Sequence, residues 1–268
     1  MIRRRFINTT IAGAALNCLG TFGITRGLST DLLHRRGRMR ALSSTVLEID
    51  GQECVLSDLF PLENSYSAMD DREPLSRIYE NIRSVAEGAG EVSVNEIGVD
   101  RWGRFIAIVD IPRSRLFNAA TVQEELVNRG LGIVAPSSQK FEFIRRLYAL
   151  EHNARQGRRG VWQDPTWRIR NAGDPTDVTN GYRIVEGYVS TVNAHLERTY
   201  LNFGANYKRD VTGSADARTF AAWPDAHQDL KKWQGAQVQL RGWVRWINGP
   251  AIELSHPLQI LGAQERAV

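Results

Sequence analysis

Residues 45–56 read TVLEIDGQECVL, two short β-prone runs that meet at Asp50-Gly51. An Asp-Gly pair there favours positive backbone φ and hence a tight antiparallel hairpin. No other feature constrains the chain as much, because a lone hairpin is barely stable in water and must be covered by further elements. Such elements follow at once. Residues 74–89 space Leu75, Ile78, Ile82 and Val85 as one apolar helix face, stopped by Gly88-Ala89-Gly90. Residues 91–94 and 103–111 read as strands, the second almost continuously apolar. Residues 121–129 form a short helix with Thr121 as N-cap, Glu124 completing a capping box, and Gly130 at its stop. A strand fragment at 132–135 precedes a longer helix at 138–156, with Phe141, Ile144, Leu147, Leu150 and Ala154 along one face.

Residues 164–181 (DPTWRIRNAGDPTDVTNG) interrupt this pattern with turn formers and mark the best domain boundary. Beyond it, strands are predicted at 182–192, 198–203, 236–246, 251–254 and 258–261, with a short helix near 225–233 and a turn at Gly249-Pro250. Several short strands with one helix suggest a small OB-type barrel. The fold class is thus α+β: a five-stranded OB-type barrel with three helices, followed by a smaller, mainly β barrel. The expected organisation is a leader and basic segment at 1–40, a first domain at 41–163, a linker at 164–181 and a second domain at 182–263.

The sequence pI of about 9.3 suggests a polyanion partner, but the charge is unevenly distributed. Residues 1–40 hold eight arginines against one aspartate, or +7. Residues 41–164 hold 14 Lys and Arg against 19 Asp and Glu, or −5, and residues 165–268 hold 12 against 10, or +2. A body gripping phosphates without metal would carry a clear cationic excess, so the folded part does not have the composition of a strong nucleic-acid binder. Arg3-Arg4, then Arg5, Phe6 and Ile7, resemble a twin-arginine export signal ahead of a mildly apolar stretch at 9–25. An uncleaved anchor, a mitochondrial-type presequence and a non-native start are the competing readings. The expected location is exported and periplasmic, or held at a membrane through the leader. The run at 34–40 (HRRGRMR) is read as lying outside the fold, as a flexible arm or a membrane-proximal signal. With the leader removed Cys54 stands alone, and His34, His152, His195, His227 and His256 show no metal-ligand spacing.

Three motifs in order carry a resemblance: DRWGR at 100–104, LVNRGLGIV at 126–134 and EHNARQGRRGVW at 151–162. Residues 41–163 resemble the thermonuclease family, the staphylococcal-nuclease-like domains. The resemblance implies an OB barrel with three helices and calcium-dependent cleavage of DNA and RNA. It also implies two metal-binding aspartates, two phosphate-binding arginines and a glutamate that activates water. These carry over unequally: Arg104 matches one arginine and Glu63 the glutamate. The other arginine becomes Val55, the metal aspartates become Ser44 and Phe60, and a proline becomes Leu62. A register shifted by one near Pro61 would instead lose Glu63 and put Leu59 at the second metal position, and neither register restores both carboxylates and the first arginine. Each missing charged group costs about 2.7–4 kcal/mol in such a site. The expectation is therefore a catalytically degenerate domain, a pseudoenzyme acting as a binding or scaffolding module. No cofactor is expected, and calcium only if Asp58 or Asp70-Asp71 rebuild a cation site. The competing functions are a phosphodiester hydrolase rebuilt around Arg104 and Glu63, and a membrane-anchored envelope structural protein.

Trp102 and Trp162 are read as packing anchors, and Arg155, Arg158 and Arg159 as a helix-terminal cluster. In residues 238–246, Arg241, Trp243 and Arg245 fall on one strand face, an Arg-Trp pattern that suits a single-stranded nucleic acid or an oligosaccharide. Tyr200, Phe203 and Tyr207 could extend it. The competing reading packs these aromatics against helices. Nucleic acid or another polymer, a protein, and a membrane reached only through the leader are the candidate partners.

Overall fold

The computed structural model describes residues 35–66, 73–112, 114, 116–117, 119–206 and 208–263. The leader, His34, Asp70-Asp71 and Tyr207 lie outside the described residues. The hairpin is present: β2 (Val46–Ile49) and β3 (Gln52–Leu56) pair across Asp50 and Gly51, whose φ values are 49° and 78°. β1 (Arg35–Ala41) pairs with β2 and with β4 (Glu91–Val99), and β5 (Phe105–Asp110) lies antiparallel to β4 and parallel to β3. The result is a closed barrel of order β1-β2-β3-β5-β4.

The basic run expected outside the fold is therefore the barrel's first strand, and the domain starts by Arg35 rather than at 41. Its arginines alternate: Arg36, Arg38 and Arg40 face solvent while Gly37 and Met39 are buried.

α1 (Glu63–Tyr66) and α2 (Glu73–Gly88) connect β3 to β4, and α3 (Val122–Asn128) and α4 (Phe141–Gln156) follow the barrel. The capping box holds as expected, with Thr121 Oγ1 accepting from the Glu124 amide and Glu124 accepting from the Thr121 amide. The fragment at 132–135 reduces to one bridge, Leu59 to Val134. Two motif glycines meet behind α3. Gly130 (φ 72°) and Gly160 (φ 53°) approach so closely that a Cβ on Gly130 would lie 2.1 Å from the Arg159 carbonyl oxygen. The Val161 amide then donates to the Gly130 carbonyl at 2.8 Å.

The second half contains β6 (Arg170–Asn171), β7 (Gly181–Tyr188), β8 (Thr191–Ala194), β9 (Arg198–Asn202), β10 (Thr212–Asp216), α5 (Ala217–Ala221), β11 (Gln237–Trp246), β12 (Pro250–Glu253) and β13 (Ile260–Gly262). Its sheet order is β6-β7-β11-β12-β10-β9-β8, with β13 beside β11. β7 and β8 are consecutive in the chain. Between them the Val189 amide donates to Ala236 and the Ser190 amide to Asn202, so one bent strand joins both ends of the sheet. β10 runs parallel to β12 as β3 does to β5. Both halves thus share one plan: three strands, helix, two strands, with the third and fifth parallel. The helix expected near 225–233 is instead two 3₁₀ turns, Asp225–His227 and Lys231–Trp233.

Residues 164–181 are packed rather than a free linker. Trp167 and Val178 are buried, and β6 pairs with β7. Tyr182, Ile184, Leu258 and Leu261 of the second half belong to the first half's hydrophobic core. Polar contacts fasten the same junction. Arg241 on β11 pairs with Glu151 on α4 at 2.9 Å, their side chains 1% and 2% exposed, and also donates to the Val134 carbonyl. The Tyr148 hydroxyl donates to the Leu258 carbonyl at 2.7 Å, and Arg241 lies 4.3 Å over the Tyr148 ring. His256 completes the junction: its Nε2–H donates to the Ser138 carbonyl while Nδ1 accepts from the Leu258 amide.

Two predictions follow from this packing. Gly130→Ala adds a backbone clash to the left-handed cost, whereas Gly51→Ala (φ 78°) meets nothing within 4 Å. Urea unfolding should show Gly130→Ala losing about 2–4 kcal/mol and Gly51→Ala about 1 kcal/mol; equal losses would contradict the close approach. Burial pulls the His256 imidazole down to about 4, with Asp58 and His227 as the neighbouring titratable groups. An unfolded histidine binds its proton near pH 6.5, so between the two values the unfolded chain holds a proton that the native chain lacks. Stability should therefore fall as pH drops through that window. His256→Gln should flatten this limb in thermal melts, and an unchanged limb would assign it to other groups.

Candidate functional site

Arg104 stands at the entry of β5, just after the β4–β5 turn. Asp100 organises that turn by accepting from the Trp102 and Arg104 amides at 2.9 and 3.0 Å. It also accepts from Arg104 Nε at 2.8 Å. Burial alone would raise the Asp100 carboxyl; the Arg104 and amide hydrogen bonds outweigh it and hold the group below the usual carboxylate range. Arg104 also lies 3.7 Å from Glu53 on the neighbouring β3. Its guanidinium is thus turned toward two carboxylates of its own chain.

Trp102 does not pack into the core as expected. It is 64% exposed, with the Arg101 and Arg104 guanidiniums 3.9 and 4.9 Å from its ring. Gly103 (φ 80°) lets the turn fold back without a Cβ. Trp102, Arg104, Gln52, Glu53 and Phe105 line a shallow hollow of about 700 Å³. Trp162, by contrast, is buried as an anchor.

Glu63 lies elsewhere, at the start of α1 beyond the end of β3. The Ser44 amide and Ser44 Oγ both donate to its carboxylate, the hydroxyl at 2.7 Å, and the Leu62 amide donates to Ser44 Oγ at 2.9 Å. The Tyr79 hydroxyl on α2 is a further donor. Burial pushes Glu63 up, but these hydrogen bonds together prevail and lower it. The carboxylate is saturated by its own protein. Arg104 is level with Glu53 by the β3–β5 register, while Ser44 adjoins Thr45, whose carbonyl receives the Leu56 amide. Three strand residues, about 10 Å, separate the two levels. Arg104 and Glu63 share no contact among the described residues.

The remaining family positions hold no ligand set. Ser44 is buried in the Glu63 latch, and Val55 is a half-buried β3 residue. Phe60, 2% exposed, stacks on Tyr182 at 4.3 Å and meets Trp167 and Trp243 edge-on at 5.7 and 5.5 Å. The second metal position is thus an aromatic plug between the two halves. Asp58 offers no substitute: it is buried, and its carboxylate accepts from the amides and hydroxyls of Ser137 and Ser138. Among the described residues no cluster of His, Cys, Asp or Glu has the arrangement of a metal site. The calcium that the fold family implies does not fit these positions as they stand among the described residues.

In the second half the Arg-Trp face requires correction. Arg241 is buried against Glu151, so it serves the junction and is not open to a ligand. Residues 238–242 are buried on both faces because the first half covers the side expected to be free. Trp243 is partly exposed but abuts Phe60 and Tyr182. Arg245 does reach solvent. Phe203 is buried in the second core, and Tyr200 meets His195 at 5.8 Å. Arg159 of the helix-terminal cluster donates to the carbonyl and side chain of Asn128.

Residues 83–164 match the family model described as Staphylococcal nuclease homologue. That span runs from the end of α2 through β4, β5, α3 and α4. It includes Arg104 but none of Ser44, Val55, Phe60 and Glu63. No curated protein matches the chain. The match is confined to residues 83–164, where the chain is similar to a staphylococcal nuclease-like domain, and the closed barrel with its helices fits that fold.

Proposed function

We propose that this nuclease-fold protein does not hydrolyse phosphodiesters and acts as an exported binding or scaffolding module. One observation carries the reading: Phe60, at the second metal position, is buried under Tyr182, Trp167 and Trp243. A metal-dependent nuclease needs a carboxylate there to hold the cation that offsets charge on the transferring phosphate. The saturated Glu63 and the self-paired Arg104 support the same conclusion, since each group is held by its own chain. The hollow beside Trp102 supports a binding role, with the charge of Arg104 balanced by Glu53 and Asp100. That balance favours a partner recognised by contact and hydrogen bonding rather than by phosphate charge.

The full chain should release no soluble nucleotides from single-stranded DNA or RNA with calcium present. Clear cleavage that is lost in Arg104→Ala would overturn the reading. A filter-binding titration in salt measures any phosphate contacts alongside, since each adds to a negative log–log slope. Export rests on the Arg3-Arg4 leader. A reporter fused to residues 1–40 should be exported, and should lose export when both arginines become lysine; retention of export in that variant would refute this route.

A further inference from the structure

The hairpin between β11 and β12 presents an apolar tip that neither core uses. Trp246 is 51% exposed and Ile247 63%. The tip is nevertheless rigidly held. Trp246 Nε1 donates to the Val178 carbonyl at 3.2 Å, and the Ile247 amide donates to the Gly249 carbonyl at 3.0 Å. Gly249 (φ 93°) is pressed against residues 209–210, where a Cβ would lie 2.7–2.9 Å from backbone atoms of Arg209 and Asp210. The Asp210 carboxylate in turn accepts from the Asn206 amide at 2.7 Å. The hairpin thus exposes two large apolar side chains on a fixed backbone and brings Arg209 beside them.

The charge around the tip is positive on balance, with Asp210 the one carboxylate beside it that has no ion pair among those described. Lys208, Arg209 and Arg245 are exposed around it. The nearest acids are engaged: Asp210 within its loop, Glu253 with Arg198 at 2.6 Å, and Asp177 with Arg170 at 3.0 Å. The indole N–H of Trp246 is also satisfied internally, so the tip offers apolar surface without an unmet donor. Trp and an aliphatic residue ringed by Lys and Arg match the boundary between acyl chains and anionic headgroups. The ring and side chain enter, and the cations meet lipid phosphates. A nucleic acid would stack bases on the indole but would have no use for Ile247.

We propose that the β11–β12 tip is a peripheral docking point for an anionic phospholipid surface. The proposal is independent of whether the first half hydrolyses anything. It concerns a surface of the folded second half, not the leader.

The test uses the full chain and vesicles of phosphatidylcholine with or without about a third phosphatidylglycerol, read by co-sedimentation. Binding should require phosphatidylglycerol and weaken as salt rises. Because the leader is present throughout, the decisive comparison is with Ile247→Glu and with Arg209→Glu/Arg245→Glu. These should lower partitioning about tenfold with unchanged melting temperatures. Brominated lipid should quench tryptophan fluorescence in the parent chain and much less in Ile247→Glu. Binding unaltered by both variants, equal binding to neutral vesicles, or no binding would overturn the proposal. So would variants that abolish binding of a single-stranded oligonucleotide, or self-association in solution, while leaving the vesicles bound.

Discussion

Everything that distinguishes this protein depends on one buried contact, the guanidinium of Arg241 against the carboxylate of Glu151. Glu151 also accepts from the Val134 amide, while the Val134 carbonyl accepts from Arg241 and from the Tyr182 hydroxyl. One residue of the first half, Val134, is thereby held at both its amide and its carbonyl. Such a buried pair adds little net stability over an apolar pair of the same shape, because desolvation cancels most of the attraction. Losing one partner, however, strands a buried charge at a cost of about 3–5 kcal/mol. The contact therefore acts as a register pin. It fixes β11 against α4, and that orientation brings Tyr182 and Trp243 over Phe60.

The geometry makes the covered site and the joined domains a single fact. A carboxylate at position 60 would have to shed its hydration among Tyr182, Trp167 and Trp243, with no cation or donor from those rings to replace it. A phenyl ring at the same place gains stacking and edge contacts. Position 60 can hold a metal or hold the halves together, but not both. Ser44 is consistent with that choice. Where an aspartate side chain would repel Glu63, the Ser44 hydroxyl donates to it beside the Ser44 amide, forming a latch between the β1–β2 turn and α1.

The local devices were legible in the sequence because their causes are local. Asp50-Gly51, the Thr121–Glu124 box and the glycines at 130 and 160 depend on φ or on a side chain reaching its own backbone. What was misread depends on distant partners. Arg36, Arg38 and Arg40 alternate with Gly37, Met39 and Ala41 at the period of a strand, yet their shared charge made the segment resemble a tail. Arg241 alternates correctly with its neighbours, but nothing near it in sequence reveals that Glu151 will cover it. β10 (TGSAD) has no apolar alternation at all, and its pairing with β9 and β12 alone makes it a strand. Of the candidate site, the missing carboxylates were readable from residue identity. The plug formed by Phe60 was not, because its ring partners come from residues more than a hundred positions away.

The shared plan of the two halves sharpens where binding chemistry resides. In each, the turn between the fourth and fifth strands of the barrel projects an exposed tryptophan: Trp102 after β4, and Trp246 before β12. The chemistry around the two differs in kind. At the first turn Arg104 is paired with both Asp100 and Glu53, so its charge is spent inside the protein. At the second, the indole N–H is satisfied by Val178 and the nearest acids are engaged elsewhere, leaving an apolar tip ringed by cations. One scaffold position thus carries an internally paired arginine in the first half and an open apolar surface in the second. The asymmetry follows from the junction: the halves meet through Phe60, Tyr182 and Arg241, a contact that covers the first half's family site and leaves the far hairpin of the second half in solvent.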